Sequence, residues 1–444
     1  MTLVACSESD SSDTPSASGG QSPTTGGTSP TGGATNGGSG KPTGGSSSGG
    51  ATPTGGSSTG GANTGGGAGA STGGSQNPGG SGGGGMSSAG SGGGGADGAS
   101  TGGMGGSGSP GKTYVYVSGS SQISLFTLDP EEGTLTSAGK ANAGMNANYL
   151  AISKDKKFLY QLNEQNPSRV IAFSIDPSNG SLKEINRGDT TGDGAPHIAV
   201  HPSGKWLVVP HYNSGHINVF AVRDDGGVGA ITTTNRGPND GCQKAHQAVF
   251  DESGDHLFVP CLGSNYVIQF NFQGGMLEYN DPPTVPVMGG PRHLALSPTA
   301  PFAYAISELN STITQLSYDK ASGKLSNPVT IPSVENTSGA SAHIAVHASG
   351  KYLYASNRNE NSIGAFSLDA TSGKATPIAF EKSMISTPRD FGLDPSGQFL
   401  ISANQDGEQD LNVYRIDQDD GRLMRVRNVA VGGRPASVGF LVLP

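Results

Sequence analysis

Tryptophan is nearly absent from this chain, cysteine is scarce and charge is sparse, and each shortage excludes something. The single Trp, Trp206, rules out a repeat built on Trp-Asp dipeptides and reads instead as a core residue. Three cysteines spread over 444 residues cannot form a disulfide-dense scaffold, and with nine histidines they show no ligand spacing for zinc. No apolar run approaches the ~18–20 residues a membrane-spanning helix needs. There is no basic run either. Residues 113–444 carry 24 Lys and Arg against 31 Asp and Glu, which argues against nucleic acid as a partner.

Residues 1–112 lack aromatic residues altogether and hold 41 of the 74 glycines, among Ser, Thr, Pro and Ala. Such a segment cannot bury enough apolar surface to offset the entropy of ordering, so it reads as a disordered tether. It has no Gly-X-Y period, which excludes collagen. Near its start, Leu3-Val4-Ala5-Cys6 resembles a lipobox, with Cys6 as the lipidated residue, although no charged or long apolar segment precedes it. The expectation is an exported, membrane-anchored lipoprotein of a bacterium, touching the membrane only through Cys6; the alternative is a cytoplasmic protein.

What the remainder has is a repeat. Seven short apolar segments share one register, centred on residues 151, 199, 249, 295, 345, 392 and 439, spaced by 46 to 50. Each unit reads as four strands, a to d, bounded by Gly, Asp and Ser. A period of this size with several strands per unit is the mark of a β-propeller, here with seven blades over residues 113–444. The first unit lacks strand a, and the terminal PASVGFLVL is a strand a with nothing after it. Pairing the two closes the ring and removes free sheet edges. Asp129…Gly133, Asp176…Gly180, Asp319…Gly323, Asp369…Gly373 and Asp417…Gly421 repeat at blade spacing, which makes them hairpin turns rather than calcium loops.

Strand a begins where strand b ends, so both points ring one mouth of the central channel. The start of strand a supplies Asn148, Pro196, His246, Arg292, Ala342, Arg389 and Ala436; the end of strand b supplies Gly119, Glu164, Tyr212, Leu262, Glu308, Arg358 and Gln405. One mouth thus collects several cations and two carboxylates, with His197, His293 and His343 close to the first register. That is a pocket for an anion or polar ligand. At the opposite mouth, His201 and His347 read as turn residues. Cys242 and Cys261 fall in one blade at points that antiparallel strands bring together, so either a disulfide or two buried thiols fits.

The segments NANYLAIS, PHIAVHPSG, AHQAVF, GGPRHLALSP, AYAISELNST and YLYASNRNENSI resemble the seven-bladed lactonase family, which includes 6-phosphogluconolactonases and a fungal muconate cycloisomerase. The resemblance spans residues 113–444. It implies hydrolysis of a lactone with His246, Arg292, Glu308 and Arg358 as the catalytic set and neither metal nor organic cofactor, and the registers of the mouth add Glu164, His197, His293 and Arg389 as substrate-binding residues. In that scheme Glu308 is the base on water, Arg292 and Arg358 hold the oxyanion, and His246 protonates the leaving oxygen. The implied partner is a small lactone or sugar acid, and the implied state a monomer. Two departures stand out. The family's Asp-Leu-Gly-x-Asp is Cys261-Leu262-Gly263-Ser264-Asn265 here, and its Asn-Tyr-Gly-Ser-Gly is His211-Tyr212-Asn213-Ser214-Gly215. The competing reading is a non-catalytic exported propeller that binds a glycan or protein at the same mouth.

Overall fold

A computed structural model describes residues 111–444, apart from 240, 337, 338, 408 and 409. Residues 1–110 of the tether, Cys6 among them, lie outside the described residues, while its last residue, Lys112, opens the first strand of blade 1. Seven four-stranded antiparallel sheets are present, one per repeat. Blade 5 is representative: strands a to d are Pro291–Leu296, Phe302–Ser307, Thr312–Asp319 and Lys324–Pro332. Strands a to c carry the buried side chains and strand d faces solvent, so the apolar residues of neighbouring blades interleave into clusters between sheets.

The ring closes as the repeat count requires. Lys112–Gly119 of blade 1 pairs antiparallel with Pro435–Leu443, Val115 opposite Phe440 and Val117 opposite Val438. The outer hairpins behave as read. In all five, the Gly N–H donates to the Asp carbonyl at 2.8–3.0 Å, and the glycines are left-handed, with φ between 66° and 80°. They also join blades. The buried hydroxyls of Tyr116, Tyr304 and Tyr354 donate to the carbonyls of Gly180, Gly373 and Gly421 in the following blade, at 2.7–2.8 Å.

Two blades depart from the expected strand a. In blades 3 and 4 it shrinks to Ala199–Val200 and Val249–Phe250. Strand b of these blades carries a proline at the same point, Pro210 and Pro260. The Pro260 carbonyl accepts the His246 N–H at 3.0 Å, so the side of Pro260 facing strand a is the side that lacks a donor. A missing N–H there interrupts the ladder. Trp206 is half-buried between blades, its indole beside Gly275 and 6.4 Å from the Phe272 ring, rather than sealed in the core.

His201 and His347 are turn residues. Each donates through Nε2 to a glycine carbonyl of the next blade, at 3.1 and 2.8 Å, and accepts at Nδ1 from the hydroxyl of the Ser two residues on, at 2.7 Å. Cys242 and Cys261 form a disulfide with Cα atoms 5.2 Å apart.

Candidate active site

The two registers at the mouth are physically tied together. In blades 2 to 7 the residue two before the strand-a position is left-handed: Asn146, Gly194, Lys244, Gly290, Ala340 and Thr387, with φ from 51° to 76°. The carbonyl of each accepts the backbone N–H of the strand-b position, in order Glu164, Tyr212, Leu262, Glu308, Arg358 and Gln405, at 2.8–3.1 Å. Four of the six are not glycine, and a left-handed conformation costs a non-glycine residue roughly 1–2 kcal/mol, so the tie is held by its surroundings. In blades 2, 5 and 7 the strand-a residue is also a bulge: the register shifts across Asn148, Arg292 and Arg389. A bulge re-aims one side chain out of the alternation. Here it turns these residues toward the mouth.

Three of the predicted residues meet in one ion cluster. Glu308 Oε2 lies 3.0 Å from Arg292 Nε, and Glu308 Oε1 lies 3.0 Å from Arg358 NH2. Arg292 is anchored further by donating through NH1 to the Ala342 carbonyl at 2.7 Å, and Arg358 by donating through Nε to the Ala340 carbonyl at 3.0 Å. His246 stands beside them, 5.2 Å from the His293 ring and 5.8 Å from the Tyr212 ring. Burial first, then the charges of Arg292, Arg389 and Arg358, hold His246 well below 6.5, so its imidazole is neutral. Across the mouth Glu164 accepts from Asn148 at 2.5 Å and sits 3.7 Å from Arg389. Burial raises the Glu164 carboxyl despite Arg389. The bowl deepens from one side to the other: the side chain of Glu164 keeps 17% of its surface exposed and that of Arg292 only 2%.

Beneath these residues lies a second polar ring, one residue further along each strand a: Tyr149, His197, Gln247, His293, His343, Asp390 and Ser437. Tyr149 lies against His197 with centroids 4.1 Å apart and ring planes tilted by 35°, and His197 meets His293 edge-on at 5.8 Å. His197 and His293 therefore form the floor of the bowl rather than its rim. Burial holds both neutral. Asp390 and Tyr149 were not among the predicted residues; reading the position after each strand-a slot would have found them. Among the described residues, no group of three or more His, Cys, Asp or Glu is arranged to hold a metal ion.

Lys244 and Tyr212 connect the mouth to a cavity of about 410 Å³, lined also by Ser214, Arg236, Cys242 and Gln243. The Lys244 ammonium lies 5.0 Å from the Tyr212 ring centroid. Arg236 and Lys244 give the described lining its charge, and it contains no carboxylate.

Residues 109–440 match the family described as lactonase, 7-bladed beta-propeller. The chain belongs to that family. A 6-phosphogluconolactonase of Formosa agariphila is 31% identical over 321 residues, covering 68% of this chain and 91% of that protein. One from Bacillus subtilis is 26% identical over 344 residues, covering 74% and 98%. A solved periplasmic gluconolactonase from Pseudomonas aeruginosa superposes with a TM-score of 0.69 at 24% identity, over 75% of this chain and all of that one, a likeness of fold. The two positions where Cys261–Asn265 departs from the family's Asp-Leu-Gly-x-Asp have structural roles. Cys261 is bonded to Cys242 beside the cavity, and the left-handed Asn265 accepts the Gly289 and Gly290 N–H groups through its side chain at 3.0 and 2.9 Å. Cys261 thus braces the loop entering blade 4, and Asn265 the loop entering blade 5.

Proposed function

We propose that the protein hydrolyses a lactone of the sugar-lactone type at this mouth, by a route that calls on no metal or organic cofactor. The observation that carries the reading is the clamp of Glu308 between Arg292 and Arg358. Two guanidinium groups fixed by carbonyls and by a shared carboxylate are preorganised donors for the oxyanion that forms when water adds to the lactone carbonyl.

The clamp also moves one role. Each oxygen of Glu308 is held by a guanidinium group at 3.0 Å, so the carboxylate is already engaged in fixing the two arginines. Glu308 therefore serves as the anchor of the two arginines. Neutral His246 has a lone pair to take the proton from water as the C–O bond to water forms. The resulting imidazolium, unstable beside three arginines, returns the proton to the ring oxygen as the acyl C–O bond breaks and the hydroxy acid leaves. Arg389 and Glu164 border the opening, and the cationic cavity beside Tyr212 accepts the rest of the substrate.

Export of the protein, anchored through Cys6 with residues 7–112 as spacer and residues 113–444 as the working domain, is part of the same proposal. The Cys242–Cys261 disulfide supports it, because such bonds persist in oxidising compartments. The test is a pH-indicator screen of the purified protein against sugar and aliphatic lactones, with His246→Gln as control. Turnover that falls about 10²–10⁴-fold in the variant supports the scheme. Binding of a glycan without turnover of any lactone replaces it with a recognition function.

A further inference from the structure

Behind Arg292 runs a chain of contacts that the lactone scheme does not use. Arg292 NH1 lies 3.2 Å from His293 Nε2, His293 Nδ1 lies 2.7 Å from His343 Nδ1, and that same His343 nitrogen lies 3.2 Å from Asp390 Oδ1. The proton order of this chain can be worked out from one end. A guanidinium has donors and no acceptor, so His293 Nε2 must present its lone pair to Arg292. His293 is neutral, buried beside a cation, so its single proton is on Nδ1. Two ring nitrogens 2.7 Å apart share one proton, which makes His343 Nδ1 the acceptor and places the His343 proton on Nε2. An ionised Asp390 would then face a lone pair. A protonated Asp390 can instead turn its O–H toward that lone pair.

We propose that Asp390 positions Arg292 by setting the proton order of His343 and His293. Un-ionised, Asp390 is compatible with the order that leaves His293 Nε2 as the acceptor for Arg292. Once ionised, it draws a proton onto His343 Nδ1. That proton then faces His293 Nδ1, and the His293 proton is driven to Nε2, against the Arg292 NH1 group. Arg292 loses its acceptor and is pushed out of line with Glu308. No bond other than N–H and O–H changes, and the one proton lost goes to solvent.

The surroundings of Asp390 fit the un-ionised form. Burial raises its carboxyl from 3.8 to about 7, against lowering by the Val438 and Phe391 N–H groups and by Arg292 and Arg389. His343 is held down to about 3 by burial and by Arg292. Tyr149, the remaining titratable group coupled to Asp390, is raised well above its ordinary value and stays neutral. Asp390 is thus the member of the floor that changes charge near neutrality.

The primary test is independent of any substrate, so it stands or falls apart from the lactonase reading. In full-length protein labelled with ¹⁵N-histidine, and assigned with His293→Gln and His343→Gln, the ring nitrogens report their tautomers. At pH 5.5 His293 should carry its proton on Nδ1 and His343 on Nε2. At pH 8.5 the His293 proton should have moved to Nε2, and in Asp390→Asn the acid-side order should persist at both pH values. On a lactone that the protein turns over, kcat/KM should fall about tenfold per pH unit above 7, a limb that Asp390→Asn removes. The opposite tautomers at pH 5.5, or parent tautomers that do not change with pH, would overturn the proposal. So would an alkaline limb that survives in Asp390→Asn. If that variant does not fold, the parent spectra alone decide.

Discussion

Replacing Asp390 by Asn should make the protein more stable at alkaline pH than its parent, by an amount the structure fixes. The folded carboxyl titrates at about 7, while the unfolded chain has the ordinary 3.8. Because the folded pKa is the raised one, the folded state binds the extra proton between these values, and stability falls as pH rises through that window. Each pH unit is worth 1.36 kcal/mol, so the full penalty is about 4 kcal/mol, of which about 3 kcal/mol accrues between pH 5 and pH 8. Asn keeps the acceptor for the Val438 N–H, which Asp390 Oδ2 meets at 3.1 Å, and offers an N–H toward His343 Nδ1. Buried His197, His246, His293 and His343 work in the other direction. Their folded pKa values are depressed, so their stabilisation is lost as pH falls below about 6.5. They are present in both proteins, so the quantity to measure is the difference between variant and parent in urea-unfolding free energy at pH 5, 6, 7 and 8. It should shift in favour of the variant by about 3 kcal/mol across the series. A difference that stays constant within ~0.5 kcal/mol would refute an un-ionised Asp390 and the positioning argument built on it.

Glu308→Gln leaves Arg292 and Arg358 buried together without their carboxylate, and should cost about 3–5 kcal/mol in denaturant unfolding; an unchanged midpoint would show that the clamp is not formed. Replacing Cys242 and Cys261 by Ser opens a link across a sequence separation of 19, which should lower stability by about 3 kcal/mol and, in steady-state assays, raise KM through the cavity loop more than it lowers kcat. Deleting residues 1–112 should leave the melting temperature within about 2 °C of the full chain, as followed by circular dichroism, because a segment without aromatics contributes no core.

Much of the ring could be read from the sequence because a propeller repeats its instructions. Seven centres spaced by 46 to 50 gave the blade count, and the surplus strand at Pro435–Leu443 gave its closure. The mouth was legible for a related reason. His246, Arg292, Glu308 and Arg358 occupy slots that the left-handed residues and bulges repeat from blade to blade. What was not legible depends on contacts between blades. The position of Asp390 was legible, one residue past a strand-a slot, but its character was not, since that comes from His343 one blade before it and Val438 one blade after it. The shortened strands of blades 3 and 4 follow from Pro210 and Pro260, residues in strand b whose effect falls on strand a. The role of Glu308 is likewise set by neighbours in two blades: its oxygens face the guanidinium groups of Arg292, in its own blade, and Arg358, in the next.

The most direct test of the account is the effect of Arg292→Lys on a lactone that the parent protein opens. Lys keeps the positive charge but not the planar fork that meets Glu308 and the Ala342 carbonyl together and that the proposed reaction also turns to the oxyanion. If the oxyanion forms at this mouth, kcat/KM should drop about 10²–10³-fold, mostly in kcat, with the fold intact by circular dichroism. Turnover by the variant within about threefold of the parent would contradict the claim that lactone opening takes place here.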